Sequence, residues 1–297
     1  MKYKLLLFLL AGILANAQIN RFFYDYKFIP DSNNKEDVKS EMMYLDIDKN
    51  GSKYYSREKF VNDSTIQAEI SKQMKGGLGG NINIKKTLNS GMISFTVTKQ
   101  YPDYKVSLSE KIGNTYYKVP ENQKPEWKIL PDKQKIGEYN TQKATLDFGG
   151  RSWLAWFTTD IPIQDGPYKF YGLPGLIVKI EDTTGSHMMT LVGNKKTEAS
   201  AEQDIKVPGV TTFGMGGKDI EVNKKQFKKV WKDYQTDPTK DMKQTMSTLP
   251  PGAVLKIQSQ DGKDLDMNEV YKNIEKRAKQ EILKNNNRIE PDLFKTD

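Results

Sequence analysis

The chain has 297 residues, a formal charge of +8, one histidine and no cysteine. The missing cysteines exclude a disulfide framework, a thiolate metal site, a cysteine nucleophile and a lipidated cysteine anchor. The lysines are scattered among acidic residues with no arginine-rich tract, so the charge describes a solvated surface and no nucleic-acid partner is expected.

Lys2 and Lys4 precede the apolar run LLLFLLAGILA, which ends in Ala15-Asn16-Ala17. A basic start, a short apolar run and a small-x-small site form the pattern of a secretory signal peptide. Cleavage is expected between Ala17 and Gln18. The run is shorter than the ~20 residues a membrane span needs, and no later segment resembles one. The expected product is an exported protein of the periplasm or cell envelope, or of the extracellular space.

The next part of the chain reads as strands. NRFFYDYKFI (20–29) is aromatic and partly alternating. EMMYLDID and KYYSREKFV flank KNGS, where Asn50-Gly51 is a strong hairpin signal. MISFTVTKQY (92–101), YKVSLSEKIG (104–113) and NTYYKVP follow, and then EWKIL, QKATLDFGGRSWLAWFTTDIPI and HMMTLVGN (187–194). Short strands at this spacing predict an antiparallel arrangement, not βαβ units. The end of the chain turns helical. NKKQFKKVWKDYQTD (223–237) spaces Phe227, Val230, Trp231 and Tyr234 three and four residues apart. TKDMKQTMST suits a short helix, and 268–286 a longer one with Asn268 at its N-cap. KGGLGGN (75–81) and residues 195–219 read as loops.

The expected fold is α+β: a large, curved, mainly antiparallel sheet, open and half-barrel-like, with C-terminal helices on or beside it. A signal peptide (1–17), a β-rich domain (18–220) and a helical region (221–297) packed on the same domain make up the expected organisation.

Candidate chemistry is sparse. DIDKNG (46–51) opens like a calcium loop, but Lys53 and Arg57 occupy the positions that need an apolar residue and a bidentate glutamate. GGLGG (76–80) and FGMGGK (213–218) fit neither phosphate-loop pattern. His187, the sole histidine, has no G-x-S-x-G serine to serve and cannot complete a zinc site. Asp160, Asp165, Glu181 and Asp182 offer carboxylates for a hydrolase, yet Glu181 and Asp182 should diverge from a strand end. No catalytic residue, metal or cofactor is assigned. Trp153, Trp156, Tyr168, Phe170 and Tyr171 form an aromatic group that suits either a packed core or a groove for an apolar ligand.

One stretch is specific. In DGPYKFYGLPGLIVKIED (165–182), Gly166, Pro167, Gly172, Pro174 and Gly175 precede a strand-like run. Prolines fix φ and glycines permit close approach, so the stretch reads as a stiff corner, with Leu173, Leu176 and Ile177 seating it in the core. Residues 136–182, with Gly172-Leu173-Pro174-Gly175-Leu176-Ile177 complete, resemble the GLPGLI family, exported Bacteroidetes proteins of unknown function. QKAT, the Gly150-Arg151 and AWFT segments, IPI and IVKIED match as well, and weaker likeness extends to YLDIDKNGSKYYS and NNNRIEP. Thr141 stands where many members are expected to carry cysteine. Asn287-Arg288 replaces a more usual Asn-Pro, a change expected to affect only the tail. The resemblance implies export and no catalytic residues. The leading expectation is a non-catalytic envelope protein that binds a lipid-like ligand or an outer-membrane protein partner. The alternatives are a hydrolase using the carboxylates, or a subunit docking through a sheet edge.

Overall fold

The computed structural model describes residues 18–75, 91–113, 115–198, 219–247 and 266–295. The expected signal peptide with its cleavage side at Ala17, the two glycine-rich runs and Pro250-Pro251-Gly252 lie outside the described residues.

The alternating runs form one open sheet. Its strands are β1 (Gln18–Phe28), β2 (Lys39–Ile47), β3 (Gly51–Ser56), β4 (Thr96–Gln100), β5 (Lys105–Ile112), β6 (Thr115–Glu121), β7 (Lys128–Ile136), β8 (Tyr139–Phe148), β9 (Arg151–Thr158), β10 (Leu176–Asp182), β11 (His187–Glu198) and β12 (Ile220–Glu221). Their order is β12-β6-β5-β4-β3-β2-β1-β11-β10-β9-β8-β7, antiparallel throughout except for the parallel β12–β6 pair. The chain therefore starts mid-sheet, meanders out to β6, re-enters at the opposite edge and meanders back until β11 pairs with β1.

Register puts the apolar residues on one face. Val119 lies opposite Leu108, Leu108 opposite Val97, Val97 opposite Tyr54 and Tyr54 opposite Leu45. Met43 then faces Tyr24, and the line continues through Leu191 on β11. Because side chains alternate with period two, this row is one continuous inner face, and all eight of these residues are buried. The KNGS hairpin forms as expected: Asp48 Oδ1 accepts the Asn50 and Gly51 amides at 2.7 and 3.0 Å.

The helices are α1 (Arg57–Lys75), α2 (Lys224–Thr236), α3 (Lys240–Ser247), α4 (Met267–Lys284) and the single turn α5 (Pro291–Phe294). Three local readings are corrected. The strand expected through KYYSREKFV ends at Ser56, whose hydroxyl accepts the Lys59 amide at 3.1 Å and starts α1. The N-cap of α4 is Asp266, accepting the Asn268 amide at 3.0 Å, and not Asn268 itself. Strand β11 runs on to Glu198, into the expected loop, because its partner β1 begins as early as Gln18 and pairs along its whole length. That loop's far end, at residue 219, abuts the two-residue strand β12. Helix α2 matches expectation and carries a full capping box between Asn223 and Gln226, with Phe227 and Trp231 buried beneath it.

Candidate functional site: a cavity under the C-terminal segment

The glycine-rich corner lies on the inner face and joins both halves of the sheet. The Tyr24 hydroxyl donates to the Ile177 carbonyl at 2.6 Å. Lys99 of β4 pairs with Asp165 and donates to the Gly166 carbonyl at 2.6 Å. The Tyr101 hydroxyl donates to the same carboxylate. On the other flank Lys169 bridges Glu121 at 3.2 Å and Glu290 at 2.5 Å, and the Tyr168 hydroxyl reaches Glu290 at 2.5 Å. Burial pushes the Lys99 ammonium down and Asp165 pulls it back up. Enclosed and matched in charge, these groups fix where the corner sits. Leu173, Leu176 and Ile177 are buried with Gly166, Pro167 and Gly175, while Gly172 and Pro174 face solvent. At Gly175, φ is +155° and a Cβ would lie 2.0 Å from the Thr158 carbonyl oxygen, so close backbone approach demands glycine there.

The carboxylates near this corner do not converge. Asp165 is enclosed by Lys99 and Tyr101, Asp182 by Arg151 at 2.9 Å, and Glu181 turns outward to Lys179 at 2.9 Å. Asp160 accepts the Asn140 amide at the surface. The five aromatic candidates divide. Trp153, Tyr168 and Phe170 form one cluster, with Trp153 and Phe170 centroids 4.8 Å apart and Tyr168 6.0 Å from Phe170. Tyr171 stacks on Tyr104 at 4.5 Å. Trp156 lies on the other face beneath Lys143. All five are buried.

The open space lies elsewhere. A cavity of ≈430 Å³ separates the inner face from the C-terminal part of the chain. Tyr26 and Phe28 form its floor, Trp231 and Ile282 part of its roof, and Glu110, His187 and Arg288 its main polar groups. None of the five expected aromatic residues lines it. That volume is within the range of small-molecule sites and holds on the order of a dozen waters.

The cavity is closed by residues 285–294, and this segment is fastened by arginine. Arg151 donates to the Asn287 amide oxygen at 2.6 Å and the Arg288 carbonyl at 2.7 Å while holding Asp182. The Asn287 amide donates to the Pro30 carbonyl at 3.0 Å, and its side chain to the Ile29 carbonyl at 2.9 Å. Gly149, at φ +65°, lets Glu290 approach, since a Cβ there would meet its side chain at 2.6 Å. The Asn287-Arg288 pair that sequence reasoning confined to the tail is therefore part of the cavity wall.

Burial, aided by the nearby Arg151 charge and opposed by Asp182, pushes the His187 imidazole down to about 3, so it is neutral. Its Nδ1 meets the Tyr26 hydroxyl at 2.8 Å. Its Nε2 lies beside the Asn287 and Arg288 backbone but reaches no hydrogen-bonding geometry. Burial likewise raises the Glu110 carboxyl, partly offset by Arg288. Among the described residues no group of three or more His, Cys, Asp or Glu side chains could hold a metal ion, and no helix is long and apolar enough to cross a membrane.

A family model described as a protein of unknown function (Porph_ging) matches residues 150–179, which include β9 and the corner as far as Lys179. No curated protein matches the sequence. The structure is similar to two solved structures of PNGF-II, in C2 and P21 space groups, at 17% and 16% identity. These matches cover 73% and 72% of this chain and 33% of that chain, with TM-scores of 0.46 and 0.45. The chain thus corresponds to a third of those proteins' length. What the comparisons establish is a local similarity, through the corner, to a family of unknown function.

Proposed function

We propose that this is an exported, non-catalytic protein of the bacterial envelope, of the GLPGLI type, that binds a small, mainly apolar molecule. The observation carrying this reading is the ≈430 Å³ cavity between the aromatic inner face and the C-terminal segment. A recess of this size beside Tyr26, Phe28 and Trp231 is within the range of small-molecule sites. Export is supported by the charge and hydropathy pattern of residues 1–17. The carboxylates near the corner are engaged in ion pairs or diverge, so binding is favoured over hydrolysis.

Mass spectrometry of the protein purified gently from native envelope tests this. A stoichiometric lipid or other apolar molecule is expected, displaced when Ile282→Trp fills the cavity. Recovery of bare protein alone overturns the reading.

A further inference from the structure

We propose that the cavity takes a molecule with an apolar body and a single carboxylate head, the head seated on the Arg288 guanidinium. This rests on the binding reading above and adds the ligand's chemical class.

The unmet bonding capacity in the cavity belongs to donors. The Arg288 guanidinium lies 5.3 Å from the Trp231 ring centroid and 5.0 Å from that of Phe294. Its Nε is buried without a partner. Among the described residues none of its nitrogens makes a hydrogen bond or ion pair. The two other arginines at the sheet are fully engaged. Arg21 grips Asp46 with two bonds of 2.7 Å, and Arg151 serves Asp182, Asn287 and the Arg288 carbonyl. A guanidinium held against two rings in the wall of a cavity suits a planar, bidentate acceptor at its terminal nitrogens.

His187 forms part of the same wall. Its Nδ1 is engaged with the Tyr26 hydroxyl, and the neutral ring sets no charge against an anion. The acidic wall does not reverse this. Glu110 has partners of its own, the Ser94 hydroxyl at 3.4 Å and the Lys111 backbone amide. Burial pushes its carboxyl up, and the nearby Arg288 charge partly offsets this. Lys111 extends over the Tyr116 ring, and Glu281 is exposed at the rim. One open cation fits a monoanion better than a phosphate dianion, whose second charge it would leave unmatched. Phe28, Ile93, Ile282 and Phe294 give an alkyl or aryl body apolar surface, beside the polar Ser94, Asn285 and Asn287.

Calorimetric titration of the full chain with decanoate, decanol and decyltrimethylammonium, each below its micelle concentration, tests the assignment. Decanoate is expected to bind about tenfold or more tighter than decanol, with the cationic probe weakest. Arg288→Met, which keeps apolar packing against Trp231 and Phe294, is expected to bring decanoate down to the decanol level while decanol is unchanged. Decanol or decyltrimethylammonium binding as tightly as decanoate overturns the carboxylate assignment and leaves the apolar-ligand reading standing. Failure of all three to bind overturns both. Circular dichroism melting establishes that the variant folds; if it does not, the ranking of the three probes on the unmodified protein decides.

Discussion

Gly175 shows how little freedom a single position can have. Its backbone passes so near β9 that even a methyl group would collide with the Thr158 carbonyl oxygen. Gly175→Val should cost about 3 kcal/mol in urea unfolding, from strain and overpacking together; unchanged stability would contradict the close approach. His187 makes a prediction of the opposite kind. Its folded value of about 3 lies below the ordinary 6.5. The unfolded chain therefore takes up the proton first. The contribution to stability is complete above pH 6.5 and is lost as pH falls toward 3. As the only histidine, it should make the protein about 2 kcal/mol less stable at pH 5 than at pH 7. His187→Gln should remove most of that slope. Unfolding titrations at the two pH values measure it, and an undiminished slope in the variant would exclude His187 as its source.

Among the elements, β4 and the corner are joined by a pair, Lys99 and Asp165, whose side chains are 1% and 0% exposed. Removing one partner strands the other charge in the core. Lys99→Met should destabilise by about 3–5 kcal/mol, and Lys99→Met with Asp165→Leu should recover part of that loss. Thermal melting of both variants checks it; a double variant less stable than Lys99→Met would argue that the pair itself, and not the stranded charge, dominates. Strands were legible because inner and outer residues alternate, as in Val106, Leu108 and Glu110, all buried along β5. Helix α1 was not legible. Its apolar positions form only a weak stripe, and what holds it is Phe60 set against Tyr44, Tyr55 and Arg21 of the sheet, a contact absent from local sequence. The N-cap of α4 was missed by two residues, since Asp266 and Asn268 are both capping types and the true first turn selects between them.

For the molecule as a whole, the two meanders are closed by β1 against β11 and covered by residues 285–294. Arg151 ties that cover to Asp182 on the sheet. Arg151→Gln should loosen it: hydrogen exchange followed by mass spectrometry is expected to speed up across 285–294 while β2 to β5 stay protected. Equal protection in both proteins would mean that apolar contacts of Ile289 and Leu293 alone keep the cavity shut.

Local pattern by itself determined the strand-rich class, the KNGS hairpin and helix α2, because each rests on residues within one or two turns of chain. Tertiary structure alone decided where the cavity lies. Tyr26, Glu110, His187 and Arg288 come from four distant segments with no spacing in common, and only the pairing of β1 with β11 and the fastening of the tail bring them to one wall. The conspicuous aromatics of the corner were drawn into the core instead. A continuous apolar face must be covered by the nearest large side chains, and Trp153, Tyr168 and Phe170 lie nearest it. Arg288 was inconspicuous in sequence for the converse reason: an arginine's significance depends on whether it finds a partner, and that is settled only when the chain has folded around it.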